Sequence, residues 1–433
     1  MEAKIGVISS TAMLKKIFAD YICGNSEKIG YEKNSLMKIA LIREGKIPVD
    51  TRVAFSPEQC VWLMNKYPEL QIVVQPSSFR CFKDEEYSNA GIVLQEDISD
   101  ADVLMGIKEV PKEQLIPGKK YLFFSHTIKK QPHNQELLKT ILKKKIQMID
   151  YECLVWENGE RILGFGFFAG IVGTHNGFLT YGKRYKLFDL KPAYQSADYD
   201  EMLEQYKHIK IPPIKIAVTG TGRVARGVFE ILEKLNIRIV SVQNYLTKTF
   251  EEPVFVVLNT SQLYERKDGK TFNREDFHKN PDQYESAFLP FAKVTNLFIN
   301  AIYWSPKAPR FFTKADMRSP DFKIKVIADI TCDVNGSVPS TIRDTSIENS
   351  VFGYNPNSEA EETPYQPQGI DVMAVSNLPN ELPREASEEF GDKLIEYVME
   401  ELIEQESNII ERATIAKNGQ LMQKFEYLTE YVK

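Results

Sequence analysis

The stretch Ile216-Ala-Val-Thr-Gly-Thr-Gly-Arg-Val-Ala-Arg-Gly227 decides the fold of this 433-residue chain. An apolar run leads directly into closely spaced glycines, which predicts a strand, a tight turn and the start of a helix. Gly220 and Gly222 allow the turn and let a pyrophosphate approach the backbone, while Ala225 lets the helix pack closely against the strand. The N–H groups of the helix N-terminus would face the phosphates. The stretch therefore predicts a dinucleotide-binding unit, and an ordinary strand-to-helix turn is the alternative interpretation.

The composition is typical of a globular protein with about two domains. The chain is 43% hydrophobic and 26% charged, which allows a sizeable core. Its net charge is −6 and its one tight lysine run covers residues 143–145, so nucleic acid is not an expected partner. No apolar stretch has the length that a membrane span requires, so a membrane is not expected either.

Cysteine and histidine spacing indicates neither a disulfide framework nor a metal site. The five cysteines form no C-x-x-C pair, and His126 and His133 match no familiar ligand pattern. We therefore expect a reducing compartment, the cytoplasm, and no metal. Residues 1–36 differ in character from the strand that opens at Met37, so we interpret them as an upstream extension or a misassigned start. An ordered helix around Ala12–Tyr21 is the alternative.

Apolar runs alternate with helical patterns twice along the chain, which predicts two α/β, Rossmann-like domains with parallel sheets flanked by helices and a cleft between the domains. One domain should comprise 37–165 plus 381–433, and the dinucleotide-binding domain 166–380. Strands are predicted at Ile39–Ile42, Gln71–Gln75, Val103–Ile107, Tyr121–Phe124, Gln147–Ile149, Ile237–Val242, Asn296–Ile302 and Lys325–Ile330. Helices are predicted at Pro57–Tyr67, Gln135–Lys145, Phe165–Phe188 and Ser387–Met422, and loop-rich insertions at Glu251–His278 and Ser346–Gln368.

Polar residues follow several predicted strands of the first domain, at the edge where ligands bind in open α/β sheets. Lys108 follows one strand, His126 the next and Glu152 the one after. Each position taken singly has an ordinary structural explanation, such as a solvated lysine or a hydrogen-bonded histidine. Together, a lysine and a histidine on neighbouring strand ends could share proton transfers beside a nicotinamide ring. Arg52 and Arg161 could hold substrate carboxylates.

Longer motifs in the same order resemble the saccharopine dehydrogenase (lysine-forming) and lysine-ketoglutarate reductase family, within the alanine dehydrogenase and transhydrogenase-like superfamily. The resemblance covers nearly all of the chain from Met37 to about Leu402. The motifs are Arg43-Glu-Gly-Lys-Ile-Pro-Val-Asp-Thr-Arg52, Gly106-Ile-Lys-Glu-Val-Pro111, Phe123-Phe-Ser-His-Thr-Ile-Lys129, Ile149-Asp-Tyr-Glu152, Gly164-Phe-Gly-Phe-Phe-Ala-Gly170, Asn300-Ala-Ile-Tyr-Trp304, Ala328-Asp-Ile-Thr-Cys-Asp333 and Asn377-Leu-Pro-Asn-Glu-Leu-Pro-Arg-Glu-Ala-Ser387.

The resemblance implies reversible, NAD(P)-dependent oxidation of saccharopine to lysine and 2-oxoglutarate through an imine, with this small molecule as the partner. It implies Lys108 as proton acceptor, His126 as the proton-handling group of imine hydrolysis and Glu152 as the carboxylate that tunes both. The implied substrate contacts are Arg52, Gln131, Arg161 and Phe165. The implied cofactor contacts are Gly220, Gly222, Arg223, Val224, Gln243, Tyr303, Ile330, Val375, Ser376, Asn377 and Leu378.

Three departures from the family pattern leave alternatives open. Ser376 stands where an aspartate is usual, and Glu160 stands where fungal enzymes carry a cofactor-contacting arginine. After the predicted strand Ile237–Val242 there is no acid for a ribose 2′-hydroxyl, and Arg238 and Lys248 could receive a 2′-phosphate. We favour NAD, with NADP possible. A dehydrogenase of another amino acid or opine, or a catalytically weakened nucleotide-binding regulatory protein, is the alternative function.

Overall fold

The computed structural model describes residues 37–404 and 407–433. These residues divide into two compact units: unit 1 comprises 37–163 and 387–433, and unit 2 is Gly164–Ala386. The predicted domain limits of 37–165 with 381–433, and 166–380, fall close to this division. The expectations for residues 1–36, including the helix at Ala12–Tyr21, lie outside the described residues.

The first part of unit 1 alternates strands and helices. Its elements are β1 (Met37–Leu41), α1 (Pro57–Lys66), β2 (Leu70–Val74), α2 (Asp84–Asn89), β3 (Val93–Leu94), β4 (Val103–Met105), β5 (Lys120–Phe123), α3 (Gln135–Lys143) and β6 (Gln147–Asp150). The start of α1 is fixed by local sequence, because the Ser56 hydroxyl accepts the Gln59 N–H and the Gln59 side chain accepts the Ser56 N–H. This capping box, with Pro57 at the first helical position, explains why the start of this helix is readable from sequence.

Unit 2 begins with a long helix and continues as a second α/β arrangement. Its elements are α4 (Gly166–Tyr185), α5 (Tyr199–Glu204), β7 (Lys215–Thr219), α6 (Arg223–Lys234), β8 (Arg238–Ile239), α7 (Val242–Thr247), β9 (Val254–Leu258), α8 (Thr260–Leu263), β10 (Tyr264–Arg266), α9 (Arg274–Lys279), β11 (Tyr284–Ser286), α10 (Leu289–Ala292), β12 (Leu297–Asn300), α11 (Lys314–Met317), β13 (Val326–Asp329), β14 (Val351–Asn355), β15 (Ala360–Glu362) and β16 (Ile370–Met373). The C-terminal elements are α12 (Pro383–Tyr397), α13 (Met399–Ile403), α14 (Asn408–Ala413), β17 (Thr414–Lys417) and β18 (Gln420–Leu421).

Each unit is built on one eight-stranded sheet. The order in unit 1 is β18-β17-β6-β5-β4-β1-β2-β3, and β1 to β6 are parallel, whereas β17 and β18 are antiparallel additions. The order in unit 2 is β15-β14-β16-β13-β12-β7-β9-β8, in which β16 to β8 are parallel and β14 and β15 antiparallel. The predicted class, α/β with two parallel-dominated sheets flanked by helices, is confirmed.

The core of unit 2 lies on both faces of its sheet. Along β7, Ile216 and Val218 belong to an apolar cluster that includes Ile171 of α4 and Val228 of α6. The residue between them, Ala217, belongs to a second cluster that includes Tyr245 of α7 and Phe291 of α10. Successive side chains of a strand point to opposite faces, so a doubly covered strand reads as an unbroken apolar run. This is why the central strands of the sheet are visible in the sequence.

Four predictions of secondary structure are wrong in part. The predicted strand Ile237–Val242 is only β8, because the Ser241 side chain accepts the N–H of Asn244 and starts α7 at Val242. The predicted insertions Glu251–His278 and Ser346–Gln368 contain ordered strands, including β9, which lies directly beside β7. The predicted helical end Ser387–Met422 breaks after Ala413, where β17 pairs antiparallel with β6.

Candidate active site

In unit 1, the three expected catalytic residues follow three adjacent strands. Lys108 follows β4, His126 follows β5 and Glu152 follows β6, and these strands are neighbours in the sheet. Because they are parallel, their carboxyl ends meet at one edge. The structure thus brings the three side chains to one edge of one sheet.

Lys108 is half-buried and lies near a pair of opposite charges. Arg52 donates to both carboxylate oxygens of Asp50, from Nε at 2.8 Å and from Nη2 at 2.5 Å, and both side chains are buried. Burial, followed by the positive charge of Arg52, lowers the pKa of Lys108 to about 8. A substantial fraction of the amine is therefore neutral near physiological pH, which lets it act as a base.

The ring of His126 is held by the residue that follows Lys108. Glu109 Oε1 lies 2.7 Å from Nδ1 of His126, and Glu109 Oε2 accepts a bond from Lys46 Nζ at 2.7 Å. Burial opposes ionisation of Glu109, but its bonds to His126 and Lys46 lower its pKa to about 2. Glu109 is therefore an anion that engages Nδ1 and orients the ring, which leaves Nε2 as the nitrogen directed to other chemistry.

Glu152 links the expected substrate residue Arg161 to this edge. Its Oε1 pairs with Arg161 and lies 3.3 Å from Lys129 Nζ. Burial opposes ionisation, but the charges of Arg161, Lys129 and His126 lower the pKa of Glu152. Its Oε2 is buried and has no hydrogen-bond partner among the described residues. A buried acceptor of this kind is suited to a donor on a bound substrate.

The four expected substrate contacts are not all in one unit. Gln131 is exposed at the start of the short 3₁₀ helix Pro132–Asn134 in unit 1. Phe165 belongs to unit 2, where it directly precedes α4 and packs against the apolar cluster of that helix. Arg52 and Arg161 lie in unit 1.

In unit 2, the glycine-rich segment forms the turn that its sequence predicts. Gly220 has a φ of +96°, and a Cβ at this position would lie 2.8 Å from the carbonyl oxygen of Ala301. Gly222 precedes the first residue of α6 without a side-chain cap, and no described atom lies within 4 Å of a Cβ built there. Arg223 and Val224 form the first turn of α6. This combination of an uncapped helix N-terminus and open space fits a pyrophosphate.

Most of the other expected cofactor residues follow strands beside this turn. Tyr303 follows β12, Ile330 follows β13 and the segment Val375–Leu378 follows β16, and these strands lie in order next to β7. Tyr303 and Ser376 are exposed, whereas Ile330, Val375 and Leu378 are buried. Gln243 is separate from them, because it lies exposed in α7 beyond the edge strand β8.

Sequence reasoning missed a buried polar network beneath this edge. The Thr219 hydroxyl donates to Asn300 Oδ1 at 2.7 Å, and Asn300 Nδ2 donates to Asp329 Oδ1 at 2.9 Å. Thr341 donates to the other oxygen of Asp329 at 2.6 Å, and burial raises the pKa of this carboxyl. Asn300 and Asp329 both lie in the family motifs quoted above and at the ends of predicted strands, and this position was the signal from which the network could have been predicted. In unit 1, no role was assigned to Glu44 or Glu109, because their hydrogen-bond partners lie far away in the chain. Asp50 was also missed, although its partner Arg52 is only two residues away.

Comparison with known proteins gives three findings. The family model "Alanine dehydrogenase/PNT, N-terminal domain" matches residues 40–172. The "Alpha-aminoadipic semialdehyde synthase, mitochondrial" of Mus musculus is 32% identical over 83% of this chain and 44% of its own length. The "Saccharopine dehydrogenase [NAD(+), L-lysine-forming]" of Schizosaccharomyces pombe is 24% identical over 80% of this chain and 89% of its own length. This chain therefore spans less than half the length of the mouse relative.

The fold is similar to that of a solved L-alanine dehydrogenase, with a TM-score of 0.61 and 14% identity, over 92% of this chain and 100% of that one. The fold is that of a two-unit α/β protein, with one parallel-dominated sheet in each unit as the likeness to L-alanine dehydrogenase indicates. This chain is thus similar to saccharopine dehydrogenases and to alpha-aminoadipic semialdehyde synthases, and its residues 40–172 match the alanine dehydrogenase/PNT N-terminal domain. The resemblance recognised in the sequence is confirmed.

Among residues 37–404 and 407–433, no helix combines the length and the apolar character needed to cross a membrane. Within the same ranges, no group of three or more His, Cys, Asp or Glu side chains is arranged to hold a metal ion.

Proposed function

We propose that this chain catalyses the reversible oxidation of saccharopine to lysine and 2-oxoglutarate with a nicotinamide dinucleotide. The observation that carries the proposal is the half-buried Lys108, whose pKa is lowered to about 8, one strand away from a histidine fixed by Glu109. An acid–base pair with these properties suits proton transfer at an amine near neutral pH. The substrate and its proton chemistry are assigned to unit 1 and the dinucleotide to unit 2.

In the oxidation step, Lys108 removes a proton from the secondary amine of saccharopine. The nicotinamide, when bound, supplies a hydride acceptor at its C4. The hydride leaves the carbon that joins the amine to the glutarate portion, and the nitrogen lone pair forms the C=N bond of an imine. Lys108 must be neutral to accept the proton, which its lowered pKa allows.

In the hydrolysis step, His126 handles protons through Nε2, because Nδ1 is engaged by Glu109. Nε2 accepts a proton from the water that adds to the imine carbon and returns a proton to the leaving nitrogen. This gives a carbinolamine, whose hydroxyl proton then passes through Nε2 to the amine nitrogen as the C–N bond breaks and the ketone C=O bond forms, which releases lysine and 2-oxoglutarate. The Glu109 carboxylate stabilises the protonated ring during the transfer.

Substrate carboxylates are assigned to the two arginines of unit 1, since a guanidinium binds a carboxylate in a bidentate manner. Asp50 fixes the orientation of Arg52, and Glu152 holds Arg161. Gln131 and Phe165 are retained as further substrate contacts. Retention of both arginines supports a dicarboxylate product over alanine.

The dinucleotide is assigned to the edge formed by Gly220, Gly222 and the first turn of α6, with Arg223, Val224, Tyr303, Ile330 and Val375–Leu378 around it. NAD is the proposed form. Arg238, which could receive a 2′-phosphate, instead pairs with Glu252 at 2.7 Å, and this pairing supports NAD over NADP. Gln243, exposed in α7, is retained as a contact of the adenosine portion. The protein is proposed to act in the cytoplasm.

The test is reduction of nicotinamide followed by absorbance, with saccharopine and either NAD or NADP. We expect reduction with NAD and a higher KM for NADP. Absence of reduction with saccharopine, together with activity on alanine or another opine, would move the assignment to a different amino-acid dehydrogenase. Tight dinucleotide binding without activity on any amino acid would instead identify a nucleotide-binding regulatory protein.

A further inference from the structure

A carboxylate beneath the active-site edge of unit 1 has no role in the mechanism described above. Glu44 follows β1, the neighbour of β4 in the sheet. Its Oε1 accepts the backbone N–H of Ile107 at 2.6 Å, and its Oε2 accepts that of Lys108 at 2.9 Å. One side chain therefore binds two consecutive N–H groups of the segment that carries the proposed base.

The segment after β4 is built closely around this carboxylate. The Gly106 N–H still bonds to the Leu122 carbonyl of β5 at 3.0 Å, and the next two N–H groups turn to Glu44. A Cβ at Gly106 would lie 3.2 Å from Glu44 Oε1 and 2.9 Å from Ile42 Cδ1. Because Gly106 has no side chain, the Glu44 carboxyl group can occupy this space, and a larger residue at position 106 would displace that carboxyl group.

The charges around Glu44 link it to the same cluster as Lys108. Burial is the main cause that raises the pKa of Glu44 to about 8, and the negative charge of Asp50 adds to it, whereas the Ile107 N–H and the charge of Arg52 oppose it. Asp50 and Arg52 are also the two charges, after burial, that most affect Lys108. Because burial disfavours ionisation of Glu44, its carboxyl group at this position serves a specific role as a hydrogen-bond acceptor.

We propose that Glu44 is a positioning residue for Lys108: its carboxyl group clamps the backbone of Ile107 and Lys108 and so fixes where the lysine amine lies. This inference rests on the proposed function of Lys108 as the base. Glu44 touches neither the proposed substrate nor the dinucleotide, and acts only through the backbone of its partner. A base displaced by a fraction of an ångström from the amine loses much of its efficiency.

The first test is Glu44→Gln. The amide offers one acceptor oxygen, and its NH₂ group faces the second N–H donor, so one clamp bond is lost. We expect kcat for saccharopine oxidation to fall about 10- to 100-fold, the range seen when supporting groups are removed. KM for saccharopine should change less than about threefold, because Arg52 and Arg161 are intact. Glu44→Asp, which keeps the carboxyl group but shortens its reach, should give an intermediate loss and serves if Glu44→Gln does not fold.

The matched control is Asp392→Asn. Asp392 is also a partly buried carboxyl of unit 1 with a raised pKa, but it accepts a bond from the Gln59 side chain. This variant should keep the kcat of the unaltered protein. An equal loss of kcat in Glu44→Gln and Asp392→Asn would overturn the clamp, since the effect would then be one of general stability.

A double variant separates the clamp from the proposed function. In a Lys108→Met background, Glu44→Gln should cause no further loss of activity, because both changes act on one group. Fully additive losses would overturn the proposal. Amide hydrogen exchange at Ile107 and Lys108 should accelerate in Glu44→Gln whatever the reaction is. Unchanged exchange would refute the clamp itself, whereas undiminished activity in Lys108→Met would refute the proposed function and leave the clamp measurable.

Discussion

At the carboxyl edge of the unit 1 sheet, charged side chains lie in pairs, whereas the same edge of the unit 2 sheet carries glycines and neutral polar groups around one buried carboxyl. Unit 1 joins Arg52 to Asp50 and Glu109 to His126. Unit 2 presents the Gly220 turn and satisfies Asp329 with the side chains of Asn300 and Thr341. The two sheets are alike in strand number and in their parallel core.

This difference indicates that the two units have different chemical roles. Burial and then the charge of Arg52 lower the pKa of Lys108. Bonds to His126 and Lys46 hold the pKa of Glu109 low against the effect of burial. An uncapped helix start and a glycine turn with positive φ do not transfer protons, but they accept phosphate groups. The comparison therefore predicts that changes in unit 1 affect turnover and its pH dependence, while changes in unit 2 affect dinucleotide affinity.

The largest expected effect is that of Lys108→Met. Without the base, kcat for saccharopine oxidation should fall about 100- to 10,000-fold, while the Kd for the dinucleotide, measured by calorimetric titration, stays the same. Lys120→Met is the matched control, because Lys120 is another half-buried lysine with a pKa lowered by burial, at the amino end of β5. Loss of dinucleotide binding in Lys108→Met would break the division between the units.

Next in size are the two glycine variants of unit 2. Gly222→Ala should raise the dinucleotide Kd about tenfold or more without changing the melting temperature, because its methyl group meets only the space assigned to the phosphates. Gly220→Ala should also destabilise the fold by about 1–3 kcal/mol, since its φ is +96° and its Cβ would contact Ala301. Titration and thermal melting distinguish the two. Equal melting temperatures for both variants would contradict this account of the turn.

A smaller effect is expected from Glu109→Gln, which should move the acidic limb of kcat/KM to lower pH. The negative charge of Glu109 raises the pKa of Lys108, so its removal leaves the amine neutral at lower pH. The measurement is the pH profile of saccharopine oxidation. The control is Glu96→Gln, which removes an exposed carboxylate paired with Arg43 and should leave the acidic limb of kcat/KM unchanged. If the limb moves to higher pH in Glu109→Gln, the assignment of the limb to Lys108 is contradicted.

The smallest effect on the reaction itself is expected from His175, whose titration concerns the acid stability of unit 2. His175 Nε2 donates to the Lys191 carbonyl and Nδ1 accepts from the Tyr206 hydroxyl, both at 2.9 Å, and burial lowers its pKa from 6.5 to about 4. The unfolded state therefore binds a proton at higher pH than the folded state. Stability should be complete above pH 6.5 and fall as the pH drops toward 4, by up to about 3 kcal/mol.

Thermal melting of the unaltered protein and of His175→Gln tests this effect. The variant lacks the titrating ring, so its melting temperature should depend less on pH over that range. Identical pH dependence in the two proteins would show that His175 does not contribute.

The sequence was sufficient for most strands of the parallel cores, such as β1, β4, β5 and β12, because residues buried on both faces read as apolar runs. It was insufficient for β9, whose apolar residues Val254–Leu258 were assigned to a loop-rich insertion because polar and proline-containing segments flank them. It was also insufficient for β17, where pairing with β6, far away in the chain, ends a helical pattern. The ionisable residues at strand ends were predictable by position, but the partners of Glu44 and Glu109 lie 17 or more residues away and were not.

The pH dependence of two quantities, measured on the unaltered protein, tests the central claim most directly. These are kcat/KM for saccharopine oxidation and the Kd of the dinucleotide, each followed through a range that brackets pH 8. We predict that kcat/KM falls on the acidic side of a limb near pH 8, where Lys108 becomes protonated, while Kd stays constant. Two results would contradict the assignment of proton chemistry to unit 1 alone. One is a kcat/KM that does not change with pH, and the other is a dinucleotide Kd that changes with pH around the same value as kcat/KM.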